Sequence, residues 1–177
     1  MTGEKNVFDY ITTEGKRTGK RTALEYLQKN TGVFNDKGML TQEQVDEMKA
    51  RLKENKGNIW HGFISLNAAE SPKIDTPEKC IELIKRTFPS FLKDAKFRPD
   101  NVDLMCALHL DRPHHLHIHF VFWEKEPKFK DSRTGENKYR RSGKIDKKSI
   151  DGMVVRLGLF LSDKKEILYK TRDEAIR

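Results

Sequence analysis

Residues 102–124, VDLMCALHLDRPHHLHIHFVFWE, contain two alternating apolar segments separated by a short polar turn. Side chains alternate between the two faces of a β-strand, so apolar residues at every second position mark one buried face. These residues are Leu104, Cys106, Leu108 and Leu110 in the first segment, and Leu116, Ile118, Phe120 and Phe122 in the second. With a turn at 112–114, an antiparallel hairpin pairs Leu108 with Ile118 and brings both apolar faces to the same side, which determines its register.

The same hairpin gathers histidines, because five of the chain's six histidines lie between residues 109 and 119. The register sets His109 opposite His117, with His119 two residues farther along the same face. Opposed Cβ atoms lie about 4.5–5.5 Å apart and diagonal ones about 7–8 Å, so three imidazoles can converge on one ion. These histidines could instead be polar residues on a wet sheet face, or a surface patch that takes up stray metal. The matched position of His109 favours a true metal site.

Three nitrogen ligands without a fourth describe an open site, which is typical of catalytic rather than structural metals. His114 and His115 lie at the turn and are not predicted ligands. Asp111 is close enough to orient a ligand imidazole as a hydrogen-bond acceptor. His61 lies in another strand segment, and we expect it to be structural or to face a substrate.

The remaining patterns predict two strands, over 6–12 and 58–67, and five helices, over 22–29, from Thr41 to Gly57, from Thr76 with a bend at Pro89, over 149–161 and over 163–177. Thr41 with Gln44 forms a capping-box signature, and Thr76-Pro77 is typical of a helix start. Residues 127–146 are polar and turn-rich, which predicts a basic hairpin or arm. Strands with packing helices indicate an α+β fold with a largely antiparallel central sheet and flanking helices.

The positive charge is concentrated in two segments. The formal net charge is +8 over 177 residues. Residues 16–21 (KRTGKR) carry +4, and residues 125–148 hold ten Lys and Arg against four Asp and Glu, a net +6. Two basic segments on a near-neutral body favour a polyanion partner, although solvated loops are the alternative.

Other features exclude several classes of protein. No apolar run approaches the ~20 residues needed to cross a bilayer. Cys80 and Cys106 lie in apolar patterns without a CxxC motif, so we expect both in the core of a cytoplasmic protein. No strand–helix–strand unit carries a dinucleotide fingerprint, and GKRTGKRT (15–22) lacks the spacing of a phosphate loop.

Several motifs resemble those of HUH nucleases. His117-Ile118-His119 is similar to their His-hydrophobic-His signature, and His109 looks like the third ligand of mobilisation-type relaxases. The segment DYITTEGK (9–16) is similar to the one that carries the catalytic tyrosine in that group. FVFWEKEP (120–127) and KYRRSGKI (138–145) resemble the MobL subgroup of plasmid and integrative-element relaxases.

The resemblance implies a metal-dependent enzyme that nicks and rejoins single-stranded DNA at a transfer origin. Residues 1–177 would form one relaxase domain, the N-terminal part of a longer protein. Tyr10 would be the nucleophile, with Glu70 or Asp111 as its proton acceptor, although either carboxylate could instead cap a loop. One divalent ion is expected, Mn²⁺ or Mg²⁺, with Zn²⁺, Ni²⁺ and Co²⁺ as alternatives. Accessory relaxosome proteins and a coupling ATPase are the implied protein partners.

The DNA contacts are expected from the basic segments. Lys16, Arg17, Lys20 and Arg21 follow Tyr10 and could hold flanking phosphates; Lys138, Arg140 and Arg141, with Tyr139 among them, form a set suited to clamping and stacking a single strand. Trp123 shares the histidine-bearing face, where base stacking and core filling are both consistent with its position.

Two alternatives stay open from the sequence. An HUH replication initiator or transposase would use a C-terminal tyrosine, for which Tyr139 and Tyr169 are the candidates. A basic nucleic-acid-binding protein could instead hold a structural or regulatory metal and cut nothing. A metal-dependent hydrolase is a weaker third possibility, which would release its product without a covalent adduct.

Overall fold

The computed structural model describes residues 33–74, 76–109 and 116–162. Within these ranges the chain is α+β, with a five-stranded antiparallel sheet, a separate two-stranded ribbon and three α-helices. The strands are β1 (Phe34–Asn35), β2 (Gly38–Met39), β3 (Ile59–Ser65), β4 (Val102–His109), β5 (His117–Glu124), β6 (Phe129–Lys130) and β7 (Asn137–Lys138). The helices are α1 (Gln42–Glu54), α2 (Pro77–Asp94) and α3 (Lys147–Leu161).

The predicted central hairpin is confirmed residue by residue. Strands β4 and β5 are antiparallel, and their register pairs Leu108 with Ile118, Cys106 with Phe120 and His109 with His117. Because the apolar positions of both strands lie on one face, a slip of one residue would expose all of them to water. The alternation therefore determines the pairing on which the histidines lie.

The sheet order is β2-β1-β4-β5-β3, so β3 pairs with β5 on the side away from β4. The β3–β5 register pairs Phe63 with His119 and Ser65 with His117. The predicted strand 58–67 is therefore confirmed, with slightly narrower bounds. The turn-rich segment after Thr31 contains the small β1–β2 hairpin, which the sequence pattern did not predict.

The helix starts follow from side chains that accept backbone hydrogen bonds. Thr41 and Gln44 form the predicted capping box at α1, which ends at Glu54 rather than Gly57. Thr76 caps α2 with Pro77 in its first turn, and the helix continues through Pro89. Asp146 caps α3 by accepting from the Ser149 amide, so this helix begins two residues earlier than the apolar spacing indicated.

Helices lie on both faces of the sheet. The Phe88 ring of α2 lies 5.2 Å from that of Phe120 and 5.7 Å from that of Phe122, so α2 covers the apolar face, and α3 packs on α2. On the other face Arg51 of α1 binds Asp103 of β4. The predicted burial of Cys80 and Cys106 as free thiols is confirmed.

Several predicted elements lie outside the described residues. They are the strand over 6–12, the helices over 22–29 and 163–177, and the turn at 112–114. Among the helices that the structure describes, none combines the length and apolar character needed to cross a membrane.

Candidate functional site

Aromatic and imidazole rings cluster on the sheet face opposite α2. His117 and His119 lie on this face of β5, with ring centroids 6.4 Å apart. Phe63 of β3 lies beside both, 5.9 Å from the His117 ring and 5.7 Å from the His119 ring. Its side chain is 61% exposed, whereas His119 is only 7% exposed. We call this group, with His61, the histidine face.

His61 joins His117 and His119 in this cluster from a distant part of the sequence. Its ring lies 5.9 Å from the His119 ring and within 20° of parallel to it. Partial burial lowers the pKa of His61, which favours its neutral imidazole. In the sequence, His61, Phe63 and Ser65 alternate with Trp60, Gly62 and Ile64, which indicates that the first three share one face of a strand. This pattern could not place His61 beside His119, because it does not show that β3 pairs with β5.

The rings of the β5 histidine pair lie farther apart than ligands on tetrahedral positions of one ion. Two imidazoles bound there at about 2.1 Å have ring centroids roughly 5 Å apart, and a spacing of 6.4 Å corresponds to rings on nearly opposite sides of an ion. Ala107, fully buried, is the β4 partner of His119, and its small side chain leaves room beside that ring. For His109 the backbone register with His117 is described, and it agrees with the prediction. Within the described part of the chain, no three His, Cys, Asp or Glu side chains already form a metal-binding group.

Glu70, a predicted proton acceptor, lies in the turn that follows β3. Its Oε2 accepts a hydrogen bond from the Asn67 amide at 3.1 Å, which is the loop-capping role considered from the sequence. The turn is tied to the start of β5, because the Leu116 amide donates to Ser71 Oγ at 3.1 Å. Glu70 also lines a cavity of 520 Å³ along β3, most of whose wall comes from the apolar sheet face and from α2 and α3, including Phe88, Met153 and Leu157. The contact between Leu116 and Ser71 places the Glu70 turn near the end of β3 at which Ser65 pairs with His117.

The predicted clamp of Lys138, Tyr139 and Arg140 is engaged within the protein instead. Arg140 donates to the carbonyls of Ala95 and Lys96 at 2.8 Å each, and its guanidinium lies 4.0 Å over the Phe97 ring. Lys138 pairs with Asp131. Of the clamp residues named from the sequence, only Arg141 has an exposed side chain without an ion pair to any described residue.

Tyr139 lies far from the histidine face. Its hydroxyl donates to the Lys125 carbonyl at 3.3 Å, beyond the end of β5 that is remote from His117. Burial, with smaller contributions from the Glu124 and Glu126 carboxylates, raises the pKa of Tyr139. Both the location and the raised pKa disfavour this tyrosine as the rival nucleophile.

Trp123 lies opposite Asp103, next to the α1 contact, and is fully buried. Of the two roles that the sequence allowed, core filling agrees with this burial, because an inaccessible indole cannot stack on a base. The remaining predicted site residues, Tyr10, Lys16, Arg17, Lys20, Arg21 and Asp111, lie outside the described residues, as does Tyr169.

No protein-family model, curated protein or solved structure matches the chain.

Proposed function

We propose that the chain is an HUH-type relaxase that nicks and rejoins single-stranded DNA in the cytoplasm to initiate transfer of a mobile element. The observation that supports this most directly is the β4–β5 register, which sets His109 opposite His117 with His119 beside it. Packed strands hold these positions with little freedom, as a catalytic metal site requires. The antiparallel sheet with helices on both faces is compatible with an HUH-like fold.

The proposed reaction needs no nucleotide cofactor. The Tyr10 oxygen forms a bond to the scissile phosphorus while the bond from phosphorus to the 3′ oxygen breaks. The 3′ oxygen leaves as a hydroxyl by taking up one proton, equal in number to the one that Tyr10 gives up, and the 5′ phosphate stays on the tyrosine. Because a phosphodiester is exchanged for another phosphodiester, the reverse reaction rejoins the strand. A proton must leave Tyr10, whose phenol has an ordinary pKa of about 10, and Glu70 or Asp111 accepts it.

His109, His117 and His119 would hold the divalent ion. When bound, it would polarise a nonbridging oxygen of the scissile phosphate and stabilise the charge that develops there. His61, which is not needed as a ligand, lies against His119 and helps to hold its ring. Phe63 is exposed between the imidazoles and offers a surface on which a base next to the cut could stack.

A covalent capture experiment with DNA of random sequence tests this proposal, so the target sequence need not be specified. The protein is incubated with a random single-stranded DNA pool and Mn²⁺ or Mg²⁺, then washed under denaturing conditions. The proposal predicts DNA that stays attached, and that attachment is lost with chelator, in Tyr10→Phe and in His117→Ala. Retention of DNA by Tyr10→Phe would instead favour the initiator alternative with Tyr169. Cleavage without attachment would indicate a hydrolase.

A further inference from the structure

The basic segment after β5 divides into an anchored base and a free tip. The anchored part, residues 139–143, is hydrogen-bonded by side chains that lie far from it in the sequence. Asn58 donates to the Arg140 carbonyl at 2.9 Å, and the Trp60 indole donates to the Gly143 carbonyl at 2.8 Å. The Tyr139 ring packs on Gly57, where a Cβ would meet its Cδ1 at 2.8 Å. Contacts of Tyr139 and Arg140 therefore hold the start of this segment against the sheet and position the ribbon.

The tip is the β6–β7 hairpin, residues 129–138, in which Phe129 pairs with Lys138. Phe129 is 51% exposed, which leaves half of its surface open to solvent. The neighbouring cations Lys130 and Arg133 are exposed and form no ion pair with any described residue. The tip thus carries an exposed aromatic ring and two available positive charges on one hairpin, with Lys130 on the face of β6 opposite Phe129 and Arg133 in the turn. The exposed Glu136 carboxylate on the same hairpin offsets one of these charges.

Hydrogen bonds within the hairpin close its turn. Asp131 Oδ1 accepts from the amides of Arg133 at 2.8 Å and Thr134 at 3.3 Å, and Asp131 also pairs with Lys138. Gly135 adopts a φ of 73°, which a glycine tolerates without strain. An ordered tip loses little conformational freedom when it binds, so its contacts contribute more of their energy to affinity.

We infer that the β6–β7 hairpin binds single-stranded DNA, with Phe129 stacking on a base and Lys130 and Arg133 contacting the adjacent phosphates. A phenyl ring has no hydrogen-bonding group, so it can recognise only the face of a base. Base faces are accessible in single strands and already stacked in a duplex, which favours the single strand. The two cations supply the attraction to phosphates that a stacking ring lacks.

This inference rests on the proposed function and specifies where the bound strand extends. Strand β5 places the hairpin and the histidines at opposite ends, because the seven residue steps from His117 to Glu124 span about 24 Å. A bound single strand can cover that distance within the roughly 4–16 nucleotides that such surfaces hold. The hairpin would therefore hold DNA away from the cut and leave the histidine face free for the scissile phosphate.

Fluorescence anisotropy with a labelled poly-dT strand of about 20 nucleotides tests the inference. Phe129→Ala should weaken binding by about 5- to 100-fold, the effect of losing one stacked base, while Phe129→Trp should retain it. Val155→Ala is the matched control, because Val155 is similarly exposed, at 60%, but lies on α3. The Lys130→Ala/Arg133→Ala variant should reduce the slope of log affinity against log salt by about 1.4.

Three outcomes would overturn the inference. The first is an effect of Phe129→Ala no larger than that of Val155→Ala, and the second is an equal loss on a duplex of the same length. The third, which does not depend on the folding of Phe129→Ala, is an unchanged salt slope in the Lys130→Ala/Arg133→Ala variant. The covalent capture experiment separates the two proposals. If the wild-type protein forms the adduct and Phe129→Ala binds DNA normally, only the inference about the hairpin is refuted. Phe129-dependent binding without any adduct refutes the relaxase reaction and leaves the hairpin as a single-strand-binding element.

Discussion

Asp103 is a buried carboxylate, 5% exposed, whose charge is compensated by Arg51 across the α1–β4 contact. Arg51 donates from Nε at 2.8 Å and from Nη2 at 2.9 Å, one bond to each carboxylate oxygen. We expect Arg51→Met to destabilise the protein by about 2–3 kcal/mol, less than for a fully buried pair because Arg51 is itself partly exposed. Denaturant unfolding measures this loss.

Arg86→Met is the matched control, because Arg86 pairs with Glu82 at 2.7 Å on an exposed helix surface. Such a pair contributes at most about 0.5 kcal/mol. Equal losses in the two variants would show that the Asp103 carboxylate is not dependent on Arg51.

The histidines make separate predictions about metal affinity. If His109, His117 and His119 are the ligands, single alanine substitutions at these positions should lower Co²⁺ affinity by at least about 100-fold. His61→Ala removes a neighbour rather than a ligand and should cost about tenfold or less. Titration followed by the visible absorption of Co²⁺ gives the affinities. If His61→Ala lowers Co²⁺ affinity as much as His119→Ala does, and His109→Ala leaves it unchanged, then His61 and not His109 is the third ligand.

At the scale of elements, the β3–β5 pair depends on a glycine facing an aromatic ring. A Cβ at Gly62 would lie 2.6 Å from Cζ of Phe120, and that ring is held by Phe88 at 5.2 Å. Gly62→Ala should therefore cost about 1–3 kcal/mol of stability through overpacking. Combining it with Phe120→Leu should recover part of the loss in a double-mutant cycle.

Gly158→Ala in α3 provides the contrast, because nothing lies within 4 Å of its added Cβ. This change should stabilise the protein by about 0.5–1 kcal/mol, since alanine loses less backbone entropy in a helix. Thermal unfolding of both variants gives the comparison. A stable Gly62→Ala would mean that the β3–β5 packing is looser than described.

The β6–β7 hairpin carries a predicted acid transition. The Lys138 ammonium, together with the Arg133 and Thr134 amides, lowers the pKa of Asp131 from 3.8 to about 2. A depressed carboxyl pKa stabilises the hairpin fully above about pH 4, and this contribution is lost as pH falls through about 2. Carbon NMR of the Asp131 carboxyl should show that midpoint. Asp131→Asn should abolish the transition, whereas a midpoint near 4 would exclude the described contacts.

For the whole molecule, local sequence patterns predicted much of the structure that holds the candidate site. Alternation together with the turn at 112–114 predicted the β4–β5 register, because a slip of one residue exposes an entire apolar face. Thr41 and Thr76 marked helix starts for an equally local reason, the need to satisfy the first amides of a helix.

Long-range pairing was not predictable in the same way. Nothing in the alternation of β3 specifies that it pairs with β5, so His61 and Phe63 were not placed beside the histidines. The contacts of Arg140 with the Ala95 and Lys96 carbonyls were also not predicted, because these partners lie more than 40 residues earlier in the chain. A basic residue looks the same in sequence whether it binds phosphates or carbonyls.

A relaxase is distinguished from the alternatives by a phosphotyrosine bond formed at one specific tyrosine. The most direct measurement is mass spectrometry of the protease-digested covalent adduct, formed with single-stranded DNA and Mn²⁺. The relaxase proposal predicts a nucleotide linked through its 5′ phosphate to the peptide that contains Tyr10. Attachment to Tyr139 or Tyr169, or a cleaved strand with no attached peptide, would contradict it.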